Sequence, residues 1–195
     1  NITVNVDYRQ DGDPIVVFNP TGWSRSEVID TYMEFGGYYR GVDVLDMSGN
    51  SLPVCVKKNS QIYNSTRIDF SFQACDVPPF GYCTFYVKPR KKEHIPVSSF
   101  IVNGDSFETP FYHGSFKNGW LTNLVFRPLK WDIIRKDEYH FSEVFVLEDR
   151  WEDTEAAHGR EDENFTGKQW RPERAVAWRL LEQNVLRLIF SQSFK

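Results

Sequence analysis

The 195 residues contain no apolar run near the roughly 18 that cross a bilayer as a helix, and the first residues do not read as a charged-then-apolar leader. A helical membrane span is thereby excluded, and the sequence fits a mature or an excised segment equally well. Cysteine is scarce: Cys55, Cys75 and Cys83 are an odd set without a Cys-x-x-Cys pair, which excludes a fully paired disulfide framework and a zinc ribbon. Cys75 and Cys83 flank a Pro-Pro corner. They could bridge, although two strand thiols packed in a core are the favoured reading, and the compartment stays undecided. Excess positive charge is missing too, since 23 basic against 27 acidic residues leave a formal charge of −4. Broad attraction to phosphate backbones or anionic lipid is not expected, so neither nucleic acid nor a membrane is a predicted partner. The one basic run, Lys88-Pro-Arg-Lys-Lys92, reads as part of a solvated linker.

Catalytic signatures are equally thin. No Gly-x-Ser-x-Gly elbow marks a serine nucleophile, and no glycine-rich loop would cradle phosphates. His94, His113, His140 and His158 lack the close spacing of metal ligands, so no internal metal site is predicted.

What the chain does have is aromatic weight, 16% of residues, and strict alternation. In Arg67–Ala74, Ile68, Phe70, Phe72 and Ala74 fall on one face and Arg67, Asp69, Ser71 and Gln73 on the other, the mark of a half-buried strand. Pro78 and Pro79 must stop the ladder, and Gly81 lets the chain turn into Tyr82–Val87. The segment reads as a sheet edge or corner. Further strands are expected at Ile2–Tyr8, Pro14–Asn19, Ser26–Phe35, Gly41–Asp46 and Leu52–Lys57, punctuated by Asp11-Gly12, Asn19-Pro20, Gly36-Gly37 and Gly49-Asn50. Such spacing suggests two facing sheets.

After a charged, proline-bearing stretch over Lys88–Ser99, a second block opens with Phe100–Asn103 and Phe107–Ser115. The turn Asn118-Gly119 then leads into Trp120–Phe126. Tyr139–Leu147 alternates again, Glu148–Arg171 reads as one long polar loop, and Pro172–Lys195 reads as strand, turn, strand with Gln183-Asn184 at the turn. A last strand ending at Lys195 would leave an uncovered edge, so the chain is expected to be cut from something longer. The overall expectation is an all-β protein: a small β-sandwich over residues 1–90, then the first part of a larger β-sandwich, or supersandwich, over 91–195.

One segment could carry chemistry. Leu147–His158 places carboxylates beside Arg150 and Trp151, a set that can hydrogen-bond sugar hydroxyls and stack on a sugar ring. Most of the six tryptophans, by contrast, are expected in the core. Asn1, Asn64 and Asn164 each head a glycosylation triplet, a pattern that also arises by chance.

Four passages together resemble one family. Ile15-Val-Val-Phe-Asn-Pro-Thr-Gly-Trp-Ser-Arg-Ser-Glu-Val-Ile29 resembles the start of the β-region in glycoside hydrolase family 38, the α-mannosidases. Asp76-Val-Pro-Pro-Phe-Gly-Tyr82 is similar to that family's corner closing the small sandwich, Asn118–Leu124 to a hairpin of the large sandwich, and Leu180–Phe190 to a later strand pair. The resemblance implies the central β-region of a retaining α-mannosidase, C-terminal to a catalytic barrel that binds zinc and supplies an aspartate nucleophile. None of the barrel motifs is matched here, so no catalytic residue and no cofactor is assigned to this segment. Its implied partners are the barrel of the same polypeptide and an α-mannoside substrate. Where relatives carry Asp-Ala-Trp, this sequence has Glu155-Ala156-Ala157, and Asp149, Arg150 and Glu155 are the residues expected to shape the sugar pocket. The alternative is a stand-alone carbohydrate-binding or immunoglobulin-like module.

Overall fold

The computed structural model describes residues 12–93, 98–134, 141, 143–149, 165–173 and 175–195. Among them every regular element is a β-strand apart from a single 3-10 turn at Arg127–Leu129. The all-β expectation holds. The chain forms two compact units, the first comprising Asn1–Ser98 with Gln183–Arg187 and the second Ser99–Glu182 with Leu188–Lys195.

Unit 1 contains seven described strands: β1 (Asp13–Asn19), β2 (Arg25–Gly36), β3 (Gly41–Leu45), β4 (Ser51–Leu52), β5 (Val54–Ile62), β6 (Ser65–Val77) and β7 (Gly81–Arg90). They build a four-stranded sheet in the order β1-β7-β3-β4 and a three-stranded sheet in the order β2-β6-β5. The expected strand Ile2–Tyr8 lies outside the described residues. Alternation in β6 is realised as read, because Ile68, Phe70, Phe72 and Ala74 are buried against Val42, Val44, Phe85 and Val87 of the other sheet. Phe72 and Phe85 meet edge to face with centroids 5.1 Å apart, the geometry that aligns a ring's positive edge with its neighbour's negative face.

Three expectations change here. β6 and β7 are central rather than edge strands, and the Pro-Pro turn between them is a corner that carries the chain from one sheet to the other. The expected strand Leu52–Lys57 is divided at Pro53, whose missing N–H ends β4 before β5 joins the opposite sheet. The basic run is not wholly linker, since Lys88, Pro89 and Arg90 continue β7 opposite Asp43, Val42 and Gly41, and Arg90 pairs with Asp43 at 2.9 Å.

Unit 2 contains β8 (Ile101–Asn103), β9 (Ser106–Glu108), β10 (Tyr112–Lys117), β11 (Trp120–Phe126), β12 (Trp131–Asp132), β13 (Val146–Asp149), β14 (Phe165–Trp170), β15 (Ala175–Gln183) and β16 (Leu188–Phe194). A five-stranded meander, β12-β11-β10-β9-β8, accompanies the hairpins β13-β14 and β15-β16. Asn118 and Gly119 both take positive φ, 52° and 81°, as the Asn-Gly hairpin requires. The core is aromatic: Phe116 stacks on Trp178 at 4.4 Å, and Phe190 touches Phe107, Phe116 and Trp178. Gly114 is obligatory beneath it, because a Cβ there would stand 2.3 Å from the Phe107 ring.

Two readings of unit 2 are corrected. The expected strand Phe107–Ser115 is broken at Pro110 into β9 and β10, where Thr109 accepts the amides of Phe111 and Tyr112 on its hydroxyl. The supposed loop Glu148–Arg171 contains β14, antiparallel to β13 with Val146 opposite Trp170 and Asp149 opposite Phe165. Polar composition hid that strand. The turn at Gln183-Asn184 is confirmed, with the Asn184 side-chain oxygen accepting the amides of Leu186 and Arg187 at 2.7 and 3.0 Å.

Candidate functional site

Of the segment singled out for chemistry, residues 147–149 lie in β13, which pairs with β14. Asp149 is the last residue of β13, and a register shift follows Leu147. Lys168 of β14 reaches Glu148 at 3.4 Å across the pair. Arg150, Trp151 and Glu155 lie outside the described residues.

Among the described residues no three His, Cys, Asp or Glu side chains converge, and His113 stands 3.6 Å from Glu108 alone. None of the three cysteines forms a disulfide, and the expectation of core thiols is half right: Cys75 is exposed, whereas Cys83 is half-buried against the core, where burial and then the charge of Asp76 raise its pKa. Asn64 is exposed at the β5-β6 turn, but the hydroxyl of its triplet partner Thr66 is buried, donating to the Gly37 carbonyl at 2.7 Å.

An open groove of about 410 Å³ in unit 1 is lined by Tyr39, Arg40, Lys57, Lys58, Asn59 and Glu93 among others. Water reaches these charges freely, and Lys57 is already held at 2.9 Å by Asp30, so the groove reads as solvated surface.

More distinctive is one end of the unit 1 sandwich, where the β1-β2 turn meets the Pro-Pro corner. Phe18, Trp23, Phe80 and Tyr82 are exposed there, Phe80 by 80% and Trp23 by 66%. Phe18 and Tyr82 are register partners whose ring centroids lie 5.7 Å apart. Buried Asn19 braces the turn: its amide donates to the carbonyls of Trp23 at 2.7 Å and Val77 at 3.0 Å, and its oxygen accepts the Thr21 amide and hydroxyl at 3.0 and 2.6 Å. Phe80 N–H then donates to Thr21 O at 3.0 Å, tying corner to turn. Phe80 holds φ of 47°, a left-handed conformation that disfavours residues with a Cβ. Sequence reasoning passed over this cluster as turn punctuation. The available signal was an aromatic at each of two turns, Trp23 and Phe80, where solvated polar residues would be ordinary. The core expectation for tryptophan also needs correcting, because Trp23, Trp131 and Trp170 are exposed while Trp120 is buried and Trp178 sits in the aromatic stack.

Neither a protein-family model nor a curated protein matches this sequence. By fold the chain is similar to a solved α-mannosidase from Enterococcus faecalis V583, with a TM-score of 0.56 and 11% identity over 96% of this chain and 24% of that one. A solved glycosyl hydrolase family 38 protein from Enterococcus faecalis matches 64% of this chain and 18% of its own, with a TM-score of 0.44 and 12% identity. The chain therefore spans about a quarter of the length of the α-mannosidase whose architecture it shares. At such identity the likeness is one of architecture.

Proposed function

We propose that the chain is a non-catalytic β-sandwich segment of a retaining, zinc-dependent α-mannosidase-like glycoside hydrolase, supporting the catalytic barrel and helping to wall its cleft. The observation that carries this reading is the correspondence of 96% of the chain with a stretch of a much longer α-mannosidase. The ordered family-like motifs add to it. Residues 1–90 are then the small sandwich and 91–195 the N-terminal part of the large one. Zinc is assigned to the barrel, as the family resemblance implies, and no chemical step is routed through this segment. Asp149, Arg150 and Glu155 are assigned to the sugar pocket as hydrogen-bonding groups, as the family resemblance implies.

Expression of residues 1–195 alone and of the longer parent polypeptide, each assayed with an aryl α-mannoside, tests the assignment. Hydrolysis is expected only from the longer polypeptide and is expected to fall on zinc chelation. Turnover by residues 1–195 alone would overturn the reading, as would a longer polypeptide without a mannosidase activity.

A further inference from the structure

We infer that the aromatic end of unit 1, formed by Phe18, Trp23, Phe80 and Tyr82, is a docking surface for an apolar protein surface elsewhere in the same polypeptide. The inference rests on the reading above and names a contact by which the segment would support its barrel. Four rings at these exposures present on the order of 500 Å², the upper range of what a free monomer shows and a fitting apolar centre for an interface of standard size.

The surroundings discriminate between occupants. The one cavity described beside the patch, lined by Phe18, Asn19, Arg25 and Glu27 among others, holds about 40 Å³, far less than a drug-sized ligand pocket needs. Charge at the rim is sparse: Arg25 pairs with Glu27, and Asp76, which accepts from Ser26 at 3.5 Å, leaves a single net negative charge, too little to recruit a strongly charged partner. Rigidity points the same way: the Asn19 bracing and the Thr21–Phe80 hydrogen bond fix the backbone that carries Trp23 and Phe80, so little main-chain freedom is lost on docking. A polypeptide of the α-mannosidase's size would hold about four times the length of this chain, with ample surface to cover the patch.

Hydroxyl-radical footprinting of the longer polypeptide tests the contact, with Tyr63 as the internal reference because it is 96% exposed on the β5-β6 turn. Corrected for intrinsic reactivity, near-complete loss of Trp23 and Phe80 oxidation is expected while Tyr63 stays reactive. Trp23→Ser combined with Phe80→Ser is expected to lower the temperature at which the longer polypeptide loses activity by several degrees. Oxidation of Trp23 and Phe80 on a par with Tyr63 would overturn the inference, and so would protection that disappears on dilution, which would assign the patch to a second copy. Parallel assay of α-mannoside hydrolysis separates the two claims: an active enzyme with reactive rings sinks only the docking surface.

Discussion

Phe70 and Phe80 lie ten residues apart, yet one is fully buried and the other is 80% exposed. Phe70 sits in β6, where alternation alone decides its face and the opposing sheet supplies Val44, Phe85 and Val87. Phe80 sits in the corner, where turn geometry and two hydrogen-bonded loops decide its direction. The same side chain therefore serves two ends. Inside, it holds the sandwich together; at the corner its ring lies beside Gly22 and stays largely in water.

Substitution is the most direct way to break that contrast. Phe70→Ala is expected to destabilise the protein by about 3–5 kcal/mol, the cost of lost transfer energy plus a cavity between two sheets that cannot collapse. Phe80→Ala within residues 1–195 is expected to change stability by no more than about 0.5 kcal/mol, as for other surface positions. Urea denaturation of both variants is the check. Equal losses would mean that the corner ring is part of the unit's own core.

The buried half of this comparison was legible in the sequence, and the exposed half was not. Strict alternation at Ile68, Phe70, Phe72 and Ala74 announces a face, because a strand has period two whatever lies opposite. Asn118-Gly119 announced its turn for a similarly local reason, the ease of positive φ at both positions. β14 was missed because Phe165-Thr-Gly-Lys-Gln-Trp170 lacks alternation and its pairing with β13 is a long-range fact. The aromatic end was missed for the same reason: Trp23 and Phe80 are far apart in sequence, and only the fold brings their two turns together, through the Thr21–Phe80 hydrogen bond and the Phe80 ring beside Gly22. As for the expected site, Asp149 is placed at a strand end, while Arg150 and Glu155 lie outside the described residues.

A smaller effect sharpens the corner itself. Asn19→Ala removes a donor from the Trp23 and Val77 carbonyls and an acceptor from Thr21, the contact to Val77 being buried, and is expected to cost about 1–3 kcal/mol. Asn19→Asp is the harsher test of the assignment, since it keeps the contacts to Thr21 but turns an acceptor toward two carbonyls. Thermal unfolding should rank wild type above Asn19→Ala and Asn19→Ala above Asn19→Asp. A reversed order of the two variants would mean that the side chain does not brace the turn as described.

The smallest effect belongs to Ser71, the residue after Phe70, whose side chain points to the opposite face of β6. Its hydroxyl donates to Asp30 at 2.5 Å, while Lys57 at 2.9 Å and Arg187 at 3.2 Å share the same carboxylate. The Ser71 hydrogen bond is the main cause that lowers the Asp30 pKa from 3.8 to about 2; partial burial opposes it, and the two cations add to it. A folded pKa below the unfolded one means that the carboxylate contributes stability above about pH 3.8, and that this contribution is lost as pH falls toward about 2. Because Asp30 is half exposed, solvent screening holds the contribution to about 1 kcal/mol or less. Asp30→Asn is therefore expected to be slightly less stable than wild type at neutral pH, with the difference closing in acid and shrinking in high salt. Urea midpoints across that range measure it. A gap that widened as the carboxylate became protonated would mean that the two cations are not held by its charge.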